Sequence, residues 1–214
     1  MKLKIGDVFT AEVQPEKYIF GRIIFDIKNQ YVKTRDSEVP TTHLSTFGKS
    51  YIVQTFEGIY DSRQAEYATQ TVIDSAIMRS KIFKNGHWEI SGNLPVDVEK
   101  VSFPETLARK NNVVYFECGE LSFELPVSAS YTDEIKIYPT MISPVSIYAG
   151  TLHYQGLDDY IDKGHIRNKY LEGSDLRYRP EIRTKIYEMI GEDMNQTYYE
   201  MALKHGYDLK RLYK

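Results

Sequence analysis

The chain has 214 residues, of which 42% are hydrophobic and 27% charged, and carries a net charge of −3. That length makes one large or two small domains and buries roughly 70% of the unfolded surface; the near balance of charge gives no footing for a broad polyanion-binding surface, although a local nucleic-acid patch stays open. No apolar run of about 18 residues occurs and the N-terminus has no apolar signal region, so a soluble cytoplasmic protein is the expectation. The single Cys118 forms no intrachain disulfide, and the Asn195-Gln196-Thr197 sequon then carries no glycosylation.

The first half alternates as a sheet does. In residues 7–14, Phe9, Ala11 and Val13 fall on one side and Thr10, Glu12 and Gln14 on the other, the period of a half-buried strand. Pro15-Glu16-Lys17 reads as a turn into a second strand over 18–26, where β-branched and aromatic residues surround Gly21, a sign of a bulge or a close backbone approach. Further strands are predicted at Tyr51–Phe56, Val113–Cys118, Leu121–Leu125, Ile135–Tyr138 and Val145–Tyr148, with a tight turn at Gly119. These spacings leave no room for crossover helices, so antiparallel pairing into a barrel-like sheet or small sandwich is expected.

Glu66–Lys84 is mixed: Ala68, Val72 and Ala76 fit a helical stripe, while Val72–Ile77 fits a strand leading into a short helix. Asn85 to Pro95 then holds the only tryptophan, Trp88, between two glycines and a closing turn, and reads as a packed anchor between tight turns.

After about residue 155 the pattern becomes helical. Ile182, Ile186, Met189 and Ile190 recur at helical spacing, Pro180 suits a first turn and Gly191 a stop. A second helix is predicted over Gln196–His205, with Asn195 as cap, Tyr199, Ala202 and Leu203 on one face and Gly206 at the end. Nine of the 18 tyrosines lie in residues 151–214, which suits helices docked on a sheet or a protein-contact surface. The expected organisation is therefore a mostly β domain over 1–150 and a helical extension over 151–214 packed upon it, α+β overall.

No catalytic constellation stands out. His43, His87, His153, His165 and His205 are scattered, without the paired spacing of a metal helix, and no nucleophile elbow, phosphate loop or dinucleotide loop occurs. Cys118 beside Gly119 is a nucleophile only where a histidine approaches it, and a lone cysteine is more often inert. On a short helix Asp158 and Asp162 would share a face and attract a cation or a basic partner, though a solvated face is the commoner outcome.

Three separated segments do form a pattern. Gly6-Asp7-Val8-Phe9, then Gly21-Arg22-Ile23, then Gly86-His87-Trp88-Glu89-Ile90-Ser91-Gly92-Asn93-Leu94-Pro95 followed by Phe103-Pro104, resemble the immunity protein 26 family of bacterial polymorphic toxin systems. The family pattern opens on a Gly-Asp-Val-Phe strand, passes through an aromatic-Gly-Arg step and carries Gly-x-Trp-x-Ile-x-Gly-Asn-x-Pro in its middle. The resemblance spans about residues 3–130, and the two helices and Asp175-Leu176-Arg177 fall in the extension beyond it. It implies a mostly β fold and a non-enzymatic task without a cofactor: binding and neutralising a cognate toxin protein, with neither nucleic acid nor membrane as partner. The motif residues then serve the scaffold, with Gly6, Gly21, Gly86 and Gly92 at turns, Phe9 and Trp88 in the core, Asp7 and Asn93 as turn hydrogen-bonders and Pro95 closing the segment.

Such binding needs a rigid scaffold and an exposed, electrostatically matched patch. The acidic excess of residues 1–150, 19 Asp and Glu against 16 Lys and Arg, would steer a basic toxin. Two other classes are weighed against it: a DNA-binding helix-turn-helix over 181–205, with Gln196, Thr197 and Lys204 as base or phosphate contacts, and a small-molecule-binding β-barrel with a deep pocket lined by Tyr and His.

Overall fold

The computed structural model describes residues 3–34, 41–84 and 88–214. In chain order the strands are β1 (Asp7–Gln14), β2 (Lys17–Asp26), β3 (Ser50–Phe56), β4 (Thr71–Arg79), β5 (Trp88–Asn93), β6 (Glu105–Lys110), β7 (Val113–Cys118) and β8 (Leu121–Glu124). The α-helices are α1 (Tyr131–Ile135), α2 (Pro144–His153), α3 (Pro180–Ile190) and α4 (Tyr198–Lys204). Strands hold 28% of the described residues and helical segments 34%, so the fold is α+β overall with helices toward the C-terminus, as expected from the sequence.

The chain forms two compact units, neither of them a continuous stretch. The first comprises residues 1–26, 49–96 and 141–171, and the second residues 27–48, 97–140 and 172–214; α2 runs across residue 150.

The first unit is built on an antiparallel sheet in the order β4-β3-β2-β1-β5. The sheet is open, with β4 and β5 at its edges, rather than closed into a barrel. β1 alternates as its sequence predicts, yet Val8 and Thr10 are as buried as Phe9 and Ala11, because both faces are covered. Over one face Val8, Phe20 and Phe56 pack against Tyr60, Ala65, Tyr67 and Leu94 from the connecting loops. On the other, Phe9 stacks on Trp88 with ring centroids 4.6 Å apart and meets the edge of Phe83 at 5.7 Å. Helix α2 joins the sheet through the buried Thr151 hydroxyl, 2.8 Å from that of Thr55 on β3.

Predicted strand Val145–Tyr148 is helical because Ser143 caps the segment: its hydroxyl accepts the Ser146 N–H at 3.0 Å and Pro144 occupies the first turn, a start signal that outweighs the β-branched Val145. Ile135–Tyr138 is likewise no strand. Lys136 turns left-handed at φ 56° to end α1, which buries Ile137 and leaves Tyr138 exposed. The mixed stretch resolves into β4 followed by the 3-10 segment Ser80–Lys84.

The second unit holds the antiparallel sheet β6-β7-β8. Its register puts Leu107, Phe116, Cys118 and Leu121 on one face, and α3 and α4 cover that face through Tyr187 against Phe116 and Tyr198 against Phe103. Pro180 and Gly191 bound α3 as the sequence predicts. α4 starts later than expected, because Thr197 and Glu200 form a reciprocal capping box, so Thr197 rather than Asn195 is the cap. That start sets the buried stripe to Tyr198, Met201 and Ala202, and leaves Leu203 half exposed. Among the described residues no helix is long and apolar enough to cross a membrane.

Candidate functional site

The three motif segments meet in the first unit. β1 lies between β2 and β5, with Phe9 opposite Gly21 on one side and Ile90 on the other, and Asp7 opposite Asn93. Gly6 is left-handed at φ 88°, and a Cβ there would stand 2.9 Å from the Leu94 carbonyl oxygen, so the turn and the close crossing both require glycine. Its N–H donates to the Ile23 carbonyl and its own carbonyl accepts the Leu94 N–H, each at 2.8 Å. The Asp7 carboxylate accepts the Lys4 N–H at 2.8 Å and the Asn93 amide at 3.3 Å. Arg22 closes the knot by donating to the carbonyls of Leu94 at 3.3 Å and Pro95 at 2.5 Å.

Phe9 and Trp88 are buried core rings, as the motif reading expects. Gly21 and Gly92 are not turn residues. Gly21 lies mid-strand, where a Cβ would overlap the Phe9 ring and stand 2.5 Å from the Gln54 carbonyl, and Gly92 lies on β5 just past Ser91, the extra residue where the β1 register shifts. A Cβ on Gly92 would enter open space. Trp88 begins the edge strand β5. Gly86 falls outside the described residues.

The first unit also opens into two clefts that share Ile82 and Pro144. The larger, about 590 Å³, has Val13, Trp88, Val145 and Tyr148 among its walls. Its rim carries Arg63, which pairs with Glu12 at 3.0 Å and with Glu89 and lies 5.0 Å above the Tyr18 ring. The smaller, about 360 Å³, is lined by Arg79, Lys81, Ile82, Met141, Ile142, Ser143 and Pro144. Arg79 donates its Nε–H toward the Met141 sulfur at 3.4 Å, and the Ile142 N–H pairs with the Ile77 carbonyl at 2.8 Å, fixing this segment along the β4 edge. None of these cleft residues except Trp88 belongs to the motif; the Ser143-Pro144 helix start was the sequence signal that would have placed the far wall.

Several titratable groups are organised without forming a reactive centre. In the first unit Asp158 receives the Lys169 ammonium at 2.5 Å and His153 Nδ1 at 2.8 Å, and these donors, Lys169 foremost, hold its carboxyl below the ordinary range. Asp162 caps the next 3-10 segment by accepting the Gly164 N–H at 2.6 Å, so Asp158 and Asp162 belong to separate turns rather than one helix face.

In the second unit Glu117 is fully enclosed. Burial works to raise its carboxyl, but His43, bound through both its backbone N–H at 2.7 Å and Nδ1 at 2.9 Å, and Lys110 outweigh that and hold it low. The other ring nitrogen of His43, Nε2, is buried and has no hydrogen-bond partner, so it is closed to a substrate. Glu105 is clamped by both arms of Arg183, at 2.6 and 2.7 Å, and by the Tyr187 hydroxyl at 2.9 Å. Burial, then the nearby Glu105, pushes the Cys118 thiol well up, and its Sγ–H donates to the Phe103 carbonyl at 3.6 Å, both of which disfavour the thiolate needed for attack. Among the described residues no three His, Cys, Asp or Glu side chains are placed to hold a metal ion.

The side chains that a helix-turn-helix would turn to DNA are engaged within α3–α4. Gln196 donates to Glu192 at 2.8 Å, Lys204 pairs with Glu192 at 2.9 Å and Thr197 caps α4. No family model matches this chain, and no curated protein or solved structure matches it significantly.

Proposed function

We propose that this chain is an immunity protein that binds a cognate polymorphic toxin in the cytoplasm of the cell that makes it and neutralises it by stoichiometric contact, without turnover. The observation that carries the reading is the motif knot: the N-terminal segments Gly6–Phe9 and Gly21–Arg22 and the distant segment Trp88–Pro95 fold onto three adjacent strands and hydrogen-bond to one another. A pattern that builds one structural element serves the scaffold, and such a scaffold leaves its surface free to fit a partner.

The inert Cys118 thiol and the enclosed His43 Nε2 agree with a binding role. The acidic excess lies in the second unit, with 18 Asp and Glu against 15 Lys and Arg, whereas the first is balanced at 12 each, so the long-range pull on a basic partner comes from the second. Expression of the gene adjacent to the one encoding this chain, with and without the chain, tests the reading. Growth arrest that this chain relieves, together with co-purification of the two products, is the expected outcome; arrest unrelieved by the chain contradicts it.

A further inference from the structure

The smaller cleft of the first unit combines an apolar floor with unneutralised positive charge. Ile82, Met141, Ile142 and Pro144 form the floor, and Arg79 and Lys81 stand exposed on the wall. Among the described residues neither cation has a carboxylate partner, and none of the cleft's lining residues is a carboxylate. The adjoining cleft has the opposite character at its rim, where Glu12 and Glu89 share the single Arg63. A groove with cations at one end, an acidic rim at the other and Trp88, Tyr148 and Val145 between selects both the chemistry and the direction of what lies in it.

We infer that these joined clefts receive an extended segment of the toxin, with an apolar side chain seated over Ile82, Met141 and Pro144 and a carboxylate beside it meeting Arg79 and Lys81. This rests on the immunity reading and names the face that serves it. A cavity of about 360 Å³ takes one large side chain, and the 590 Å³ cleft takes the residues that follow. The local charge is positive although the chain as a whole is acidic, so the docking segment is acidic even where the toxin is basic overall. The walls are β4 with its following 3-10 segment, the first turn of α2 and the irregular segment 141–143, which the Ile142 N–H ties to the Ile77 carbonyl, so little ordering accompanies binding.

The test uses the full chain and the purified product of the adjacent gene, with affinity measured by titration calorimetry over a series of salt concentrations. The double variant Arg79→Glu, Lys81→Glu changes exposed side chains, and its circular dichroism and melting curve should match the parent. It is expected to bind about 100-fold more weakly and with a flatter salt dependence, while Lys185→Glu on the exposed face of α3 stays within about twofold. A tight complex that the double variant leaves unchanged overturns this inference and leaves the immunity reading standing. No complex with the unmodified chain overturns both, as does a charge-dependent affinity of the same cleft for a short DNA duplex in place of the toxin.

Discussion

Gly21 shows how one residue fixes the packing of the motif. It stands opposite Phe9 on β1, and the space a Cβ would fill is already taken by the Phe9 ring and the Gln54 carbonyl, so Gly21→Ala must push the ring that stacks on Trp88. We expect a loss of about 3 kcal/mol for Gly21→Ala and of about 3–5 kcal/mol for Trp88→Ala, both read by urea unfolding followed by circular dichroism. Gly92→Ala is the contrast: its Cβ enters open space, and its cost should be below about 1 kcal/mol. The sequence shows these residues as a group but not their separate work. Asp7 and Asn93 were legible as hydrogen-bonders and Phe9 and Trp88 as core, whereas turn, close approach and bulge all read as glycine until the register of β1 with β2 and β5 is known. The cations of the cleft carried no signal at all, since a lone Arg79 or Lys81 reads as solvated surface.

Among the elements, the long alternating strands β1, β2, β3 and β7 were legible because apolar periodicity dominates them. β6 was not: its sequence Glu-Thr-Leu-Ala-Arg-Lys shows no apolar face, and it buries Glu105 only because Arg183 and Tyr187 arrive from α3. Tertiary partners likewise decide how α3 and α4 are joined. Glu192 follows α3, and burial works to raise its carboxyl, but Gln196, Lys204 and His205 donate to it and hold it down at about 2. In the unfolded chain it returns to about 4.5, so the folded state binds the proton more weakly and the clasp stabilises at every pH above that value. The contribution is lost as pH falls from about 4.5 through about 2. Glu192→Gln should therefore cost about 2 kcal/mol near neutral pH, and the gap between variant and parent melting curves should close as the pH is lowered through that window. A gap that persists unchanged at the acid end would show that the carboxylate is not what joins the helices.

At the scale of the whole molecule, two units interleave along one chain, which no break in composition announces. Each is completed by late sequence: residues 141–171 belong with the first sheet, and α3 and α4 cover the second. Deleting residues 172–214 uncovers Phe103, Phe116 and Cys118, and the shortened chain should scatter light and lose cooperative unfolding. A monomeric product with the parent's melting temperature would contradict the described packing. The central claim is a molecule that acts by occupying its partner and consumes nothing. Its most direct test is to hold the purified toxin at a fixed concentration, add this chain in steps and follow residual toxin activity. Inhibition that grows linearly and reaches completion at a fixed molar ratio is the predicted result; complete inhibition by a small fraction of that ratio, increasing with time of incubation, would identify an enzyme instead and contradict it.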